Sequence, residues 1–161
     1  MENIVFSKMN QNDFESMKKI ICLFKEWKDI QFNDRLNIKN SDFENKIIED
    51  TLKIIDILGE RYDTKFWHPT KEELNEYWKK WYKLTFEEKM IESKREKSWD
   101  FDSWIDAIVS AEIILYDLIE DEGNYKISLE QLAWPSGGIE AMENLIKIYD
   151  GEIIQNDMMF L

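Results

Sequence analysis

Carboxylates are the chemical resource this chain has in quantity. Its 161 residues include 34 Asp and Glu against 21 Lys and Arg, one His and one Cys, for a formal net charge of −13. The charge is unevenly placed. Residues 1–97 hold 20 acids and 19 bases, whereas residues 98–161 hold 14 acids and 2 bases. Between Ser98 and Tyr125 stand Asp100, Asp102, Asp106, Glu112, Asp117, Glu120, Asp121 and Glu122, with no base. A surface built from them repels nucleic acid and steers a basic protein toward itself. Read as a helix, Asp117, Glu120 and Asp121 at i, i+3 and i+4 share a face that could meet Mg²⁺. A solvated acidic stripe is the more ordinary reading of the same spacing.

Other chemistries have little to work with. His68 is the only histidine and Cys22 the only cysteine, so multi-histidine and Cys-rich zinc sites cannot be built. No metal or other cofactor is expected. No Gly-x-Ser-x-Gly turn accompanies a serine nucleophile. Cys22 has Lys18 and Lys25 as helical neighbours that would favour a thiolate, but no motif gives it a catalytic role. Ser136-Gly137-Gly138 precedes a helix, where backbone amides can hold an anion; with Glu140 and Glu143 following, a simple helix-entry turn fits better. Glu73 and Glu76 begin the Glu-x-x-Glu magnesium pattern of all-α nucleotide pyrophosphohydrolases, but no Glu-x-x-Asp follows to complete it.

The elements that position these residues read as mainly helical. Apolar residues make up 43% of the chain, and only 5 Gly and 2 Pro interrupt it, few turns for a β-sandwich or barrel. Ile4–Phe6 suggests a short strand. Asn12 with Glu15, Ser41 with Glu44, Thr70 with Glu73 and Thr85 with Glu88 have capping-box spacing, each opening a helix. The first runs to about Lys28, with Phe14, Met17, Ile20, Ile21, Phe24 and Trp27 on one side. The second runs to Leu58, where Gly59 stops it. The third carries an aromatic stripe of Tyr77, Trp78, Trp81 and Tyr82. The fourth has only Phe86, Met90 and Ile91 as apolar residues and should lie largely exposed. Asp100 to Glu122 reads as one long helix, the most hydrophobic and therefore central, ended by Gly123. Tyr125–Ile127 suggests a strand and Ser128–Leu132 a helical turn. An amphipathic helix over 139–149 is stopped by Gly151. Residues 152–155 then pair with 125–127, and the apolar end Met158–Leu161 docks on the body or a partner.

The expectation is a single domain over residues 1–161, mainly α, with about six helical segments around a central helix at about 100–122 and room for a minor two-stranded β element near the C-terminus. No apolar run approaches the roughly 20 residues that cross a bilayer, the N-terminus does not read as an export signal, and a lone cysteine suits a reducing, cytoplasmic setting. On the wheel of the central helix Glu112 falls within the apolar arc, where an unpaired carboxylate recruits a partner or lines a pocket; Arg35, Arg61 and Arg95 are the arginines available to it. Trp99-Asp100-Phe101-Asp102-Ser103-Trp104 sets aromatics among acids, a composition found at binding hot spots. The residues expected to meet a partner are Trp99, Asp100, Asp102, Asp106, Asp117, Glu120 and Asp121. The absence of a catalytic motif points away from an enzyme. The leading expectation is an interaction or inhibitor module that presents an acidic surface to a basic protein, a toxin-neutralising immunity protein being the concrete version. A carboxylate-based enzyme or small-ligand binder is the alternative, and a structural subunit the third reading.

Overall fold

The computed structural model describes residues 1–32, 38–93, 99–133 and 138–157. Eleven elements follow one another: β1 (Glu2–Phe6), α1 (Gln11–Phe32), α2 (Asn40–Leu58), α3 (Glu60–Lys65), α4 (Lys71–Trp81), α5 (Phe86–Ser93), α6 (Phe101–Ser110), β2 (Ile113–Asp121), β3 (Asn124–Gln131), α7 (Gly138–Ile148) and β4 (Ile153–Asn156). The fold is mainly α, as expected, but its β part is a full four-stranded antiparallel sheet in the order β2-β3-β1-β4, more than a minor pair.

The expected central helix at 100–122 is not one element. Its first half is α6, capped by the Asp100 carboxylate, which accepts from Ser103 N at 3.1 Å. Its second half is β2. A two-residue hairpin joins β2 to β3, with Asp121 opposite Asn124 and both Glu122 (φ 48°) and Gly123 (φ 86°) left-handed, the requirement of a tight primed turn. Gly123 therefore turns a hairpin and ends no helix. The pattern misleads because of a bulge: Leu115 faces Leu129 while Asp117 faces Ser128, so Tyr116 is an extra residue. Ala111, Ile113, Leu115 and Leu118 are buried. The bulge widens the last spacing from two residues to three, and 111, 115, 118 then imitate helical periodicity.

β1 supplies the second correction. It pairs with β3 (Ile4 opposite Ile127) and with β4 (Ile4 opposite Asn156) on its other side. Residues 153–156 are thus separated from 125–127 by the N-terminal strand. Ser128–Gln131, expected as a helical turn, continues β3. One face of the sheet is apolar: Ile4, Phe6, Ile113, Leu115, Leu118, Tyr125, Ile127 and Leu129 are buried. The other carries half-buried Val5 and Lys126 and exposed Asp117 and Glu130, the arrangement of an antiparallel sheet covered on one side.

α1 is the helix that organises the core. It packs on β2, α2 and α6, and its Phe14, Met17, Ile20, Ile21, Phe24 and Trp27 are buried as the stripe requires. Asn10 rather than Asn12 starts it, its side-chain oxygen accepting from Asp13 N at 2.8 Å. Lys39 precedes α2 with no side-chain cap, so the expected Ser41–Glu44 box is not used. The Thr70–Glu73 and Thr85–Glu88 boxes both form. Gly59 ends α2 at φ 56°. α7 buries seven of its eleven residues and packs on α6, whose Trp104 Nε1 donates to Ala141 O at 2.8 Å. At the end of α7 Gly151 N returns to Ile146 O at 3.0 Å, with Asp150 left-handed at φ 58°. Trp134 to Gly137 and Met158 to Leu161, for which a turn and a docking tail are expected, lie outside the described residues.

Candidate functional site

The amino-terminal half of α6 gathers three acids within two turns. Asp100 caps the helix; Asp102 and Asp106 follow at i+2 and i+6, one turn apart from each other, and both are exposed. Partial burial, then the charges of Asp102 and Asp100, hold the Asp106 carboxyl above the ordinary carboxylate range. Among the described residues Asp102 and Asp106 join no ion pair. Like charges at i, i+4 destabilise a helix by about 0.2–0.5 kcal/mol, so Asp106 does not serve α6 itself. Asp100, through the cap, and Asp102, in the first turn, suit the helix dipole, whereas Asp106 lies beyond it.

The other expected residues are distributed differently. Trp99 is half-buried, packs against the core and accepts from Trp67 N through its carbonyl at 2.9 Å, so it anchors the entry to α6. Asp117 is exposed on the open face of the sheet. Glu120 is neutralised by Lys8 at 2.6 Å and Asp121 by Lys126 at 3.4 Å. In a strand side chains alternate, so Glu120 points to the face opposite Asp117 and Asp121, and the helical argument for a Mg²⁺ trio no longer holds. Among the described residues no group of three His, Cys, Asp or Glu side chains is placed to hold a metal ion. Glu112 lies between α6 and β2 with its side chain exposed; among the described residues only its carbonyl is engaged, by Leu132 N at 2.8 Å. The helix that would have buried it ends at Ser110. Arg61, one of its expected partners, instead pairs with Asp13 at 2.8 Å and stacks on Tyr149 at 4.6 Å, while Arg35 and Arg95 lie outside the described residues. His68 Nε2 lies 2.7 Å from Tyr62 O in an exposed loop. Cys22 is exposed, as its place on the wheel implies.

Two buried charges escaped the sequence reading. Lys28 is 1% exposed and donates to Ala111 O at 2.6 Å, Val109 O at 3.2 Å and Gln31 Oε1 at 2.9 Å. It thus holds the carbonyls that α6 leaves open at its C-terminal end. Burial pulls its ammonium down to about 8. Asp50, 1% exposed, accepts from Trp27 Nε1 at 2.9 Å and meets Lys46 at 2.9 Å. Burial alone would raise its pKa, but the bonds from Lys46 and Trp27 outweigh it and hold the carboxyl low. Both residues were visible in the pattern: Lys28 falls one turn after Phe24 in the α1 stripe, and Asp50 sits between Ile47 and Ile54 in that of α2. Lys28 thereby ties the C-terminal end of α6 to α1, and the Trp104 bond to Ala141 O ties its first half to α7.

No protein-family model, curated protein sequence or solved structure matches this chain. No helix among the described residues is long and apolar enough to cross a membrane.

Proposed function

We propose that this protein is an interaction module whose acidic α6 face binds a basic protein, in its concrete form an inhibitor that occupies a cationic cleft as a toxin-neutralising immunity protein does. The observation that carries this reading is the exposed Asp102–Asp106 pair, joined to no base among the described residues, with the Asp106 carboxyl raised first by partial burial and then by the charges of Asp102 and Asp100. Carboxylates held apart from counter-ions on a helix packed into the core are pre-organised for a cationic surface, where they raise the association rate and exclude wrong partners. Asp117, on the open sheet face, is a second and separable contact. Glu120 and Asp121 contribute less, since Lys8 and Lys126 already offset them.

The test is capture of a partner from lysate of the source cells, or of the product of the neighbouring gene, on the immobilised protein at low and high salt. Capture should fall as salt rises, since screening shortens to about 3 Å at 1 M. D102K/D106K/D117K should abolish it while leaving the unfolding midpoint within a few degrees. Unchanged capture by that variant would remove the acidic-face reading.

A further inference from the structure

We infer that the groove between α1 and α2 is a binding site for a small amphipathic anion, a single alkyl chain ending in a carboxylate or phosphate. The groove has a volume of about 400 Å³ and is walled by Leu23, Cys22 and Ile57, with Lys18, Lys19 and Lys53 around it. Its size lies within the roughly 300–1,000 Å³ of small-molecule sites. The placement follows from helix geometry. Lys18 and Lys19 stand one turn before Cys22 and Leu23 on α1, and Lys53 one turn before Ile57 on α2, so cationic ends from both helices border one apolar wall.

Charge complementarity decides the occupant. Three lysines face one acid, Glu15, which already accepts from Gln11 Nε2 at 2.9 Å. Lys18 and Lys19 join no ion pair among the described residues. Lys53, exposed along most of its length, rests 3.5 Å from Asp50 Oδ1, a long contact, while Trp27 and Lys46 meet the other oxygen, Oδ2. A neutral apolar molecule would leave the ammonium groups unused, and an inorganic anion would leave Leu23 and Ile57 wet. A molecule with both an acyl chain and an anionic head uses both. The site is separate from the acidic face, which lies on α6, so each stands without the other.

Cys22, the only thiol in the chain, reports occupancy. Its alkylation by uncharged iodoacetamide should slow at least fivefold, saturably, in decanoate. Octanoate should need roughly tenfold more for the same effect, since each buried methylene is worth about a factor of three to four. Neither 1-octanol nor inorganic phosphate at matched concentration should protect. K18Q/K19Q should lose the protection by decanoate with its unfolding midpoint unchanged. No slowing by decanoate, equal slowing by 1-octanol, or full protection in K18Q/K19Q would each overturn the inference. None of these results bears on capture of a basic protein by α6.

Discussion

Replacing Lys28 by Met separates what a buried charge costs from what it holds in place. At neutral pH the folded protein keeps an ammonium inside the core, and its pKa stands at about 8 against an ordinary 10.5. That depression of about 2.5 units corresponds to roughly 3 kcal/mol of stability withheld while the lysine is charged in both states. The sign follows from proton linkage. Between the two values the unfolded chain still binds the proton that the folded chain has released, so stability rises as pH increases through this window. From pH 8 to 9.5 the gain is about 2 kcal/mol. The neutral amine still donates to Ala111 O and Val109 O. Methionine fills similar space but leaves Ala111 O unpartnered, a cost of about 1–3 kcal/mol, whereas Val109 O keeps Gln31 Nε2 at 2.8 Å. At pH 7 the two proteins should therefore lie within about 2 kcal/mol of each other, and at pH 9.5 the wild type should have gained about 2 kcal/mol on K28M. Urea unfolding followed by tryptophan fluorescence at both pH values reads this difference. Tyr116 and Tyr149, whose hydroxyls are also shifted upward, are common to both proteins and cancel. A wild-type advantage that stays constant or shrinks with pH would refute the placement of Lys28 as a buried ammonium.

Five further outcomes follow from the same structure. E122N should stabilise by about 0.5–1 kcal/mol, raising the melting temperature a few degrees, because Asn adopts the left-handed conformation of that turn position at less cost. D50A should cost about 2–3 kcal/mol in urea unfolding by leaving Trp27 Nε1 without an acceptor in the core; because the carboxyl is held low, its contribution should persist above the unfolded pKa and fade only as pH falls through the lower folded value. G151A should destabilise by about 1–3 kcal/mol, since a Cβ there would come within 2.7 Å of Ile146 Cγ2. D102N should move the Asp106 carboxyl toward its ordinary value, seen by NMR titration, and D106N should stabilise the free protein at neutral pH, with the gain disappearing at pH below the unfolded carboxylate range.

The helices of the first hundred residues were legible because each advertises itself twice, by an apolar stripe and by a cap. Thr70–Glu73, Thr85–Glu88 and Gly59 act as their types require. α5 is exposed as its thin stripe implies, with Phe86 71% and Ile91 74% accessible. The last third was harder because two local signals competed. The bulge at Tyr116 gave a strand helical spacing, and the acidic turn residue Glu122 concealed a hairpin normally marked by Asn or Gly at that position. The β-branched and aromatic density of Ile113, Ile114, Tyr116 and Ile119 was the contrary signal. The position of β1 between β3 and β4 joins residues more than a hundred apart, a pairing no local pattern encodes. Of the expected partner-binding set, the structure gathers Asp100, Asp102 and Asp106 on one helical turn and a half. Trp99 anchors the core, and Glu120 and Asp121 go to the hairpin end, where Lys8 arrives from the loop before α1.

The acidic face of α6 is tested most directly by hydrogen exchange on the complex with whatever basic protein is captured. Amides across residues 100–107 should exchange more slowly in the complex than in the free protein, and those of α1 and α2 should not change. Protection confined to α1, α2 or the α4–α5 pair, with residues 100–107 unaffected, would contradict the role given to Asp102 and Asp106.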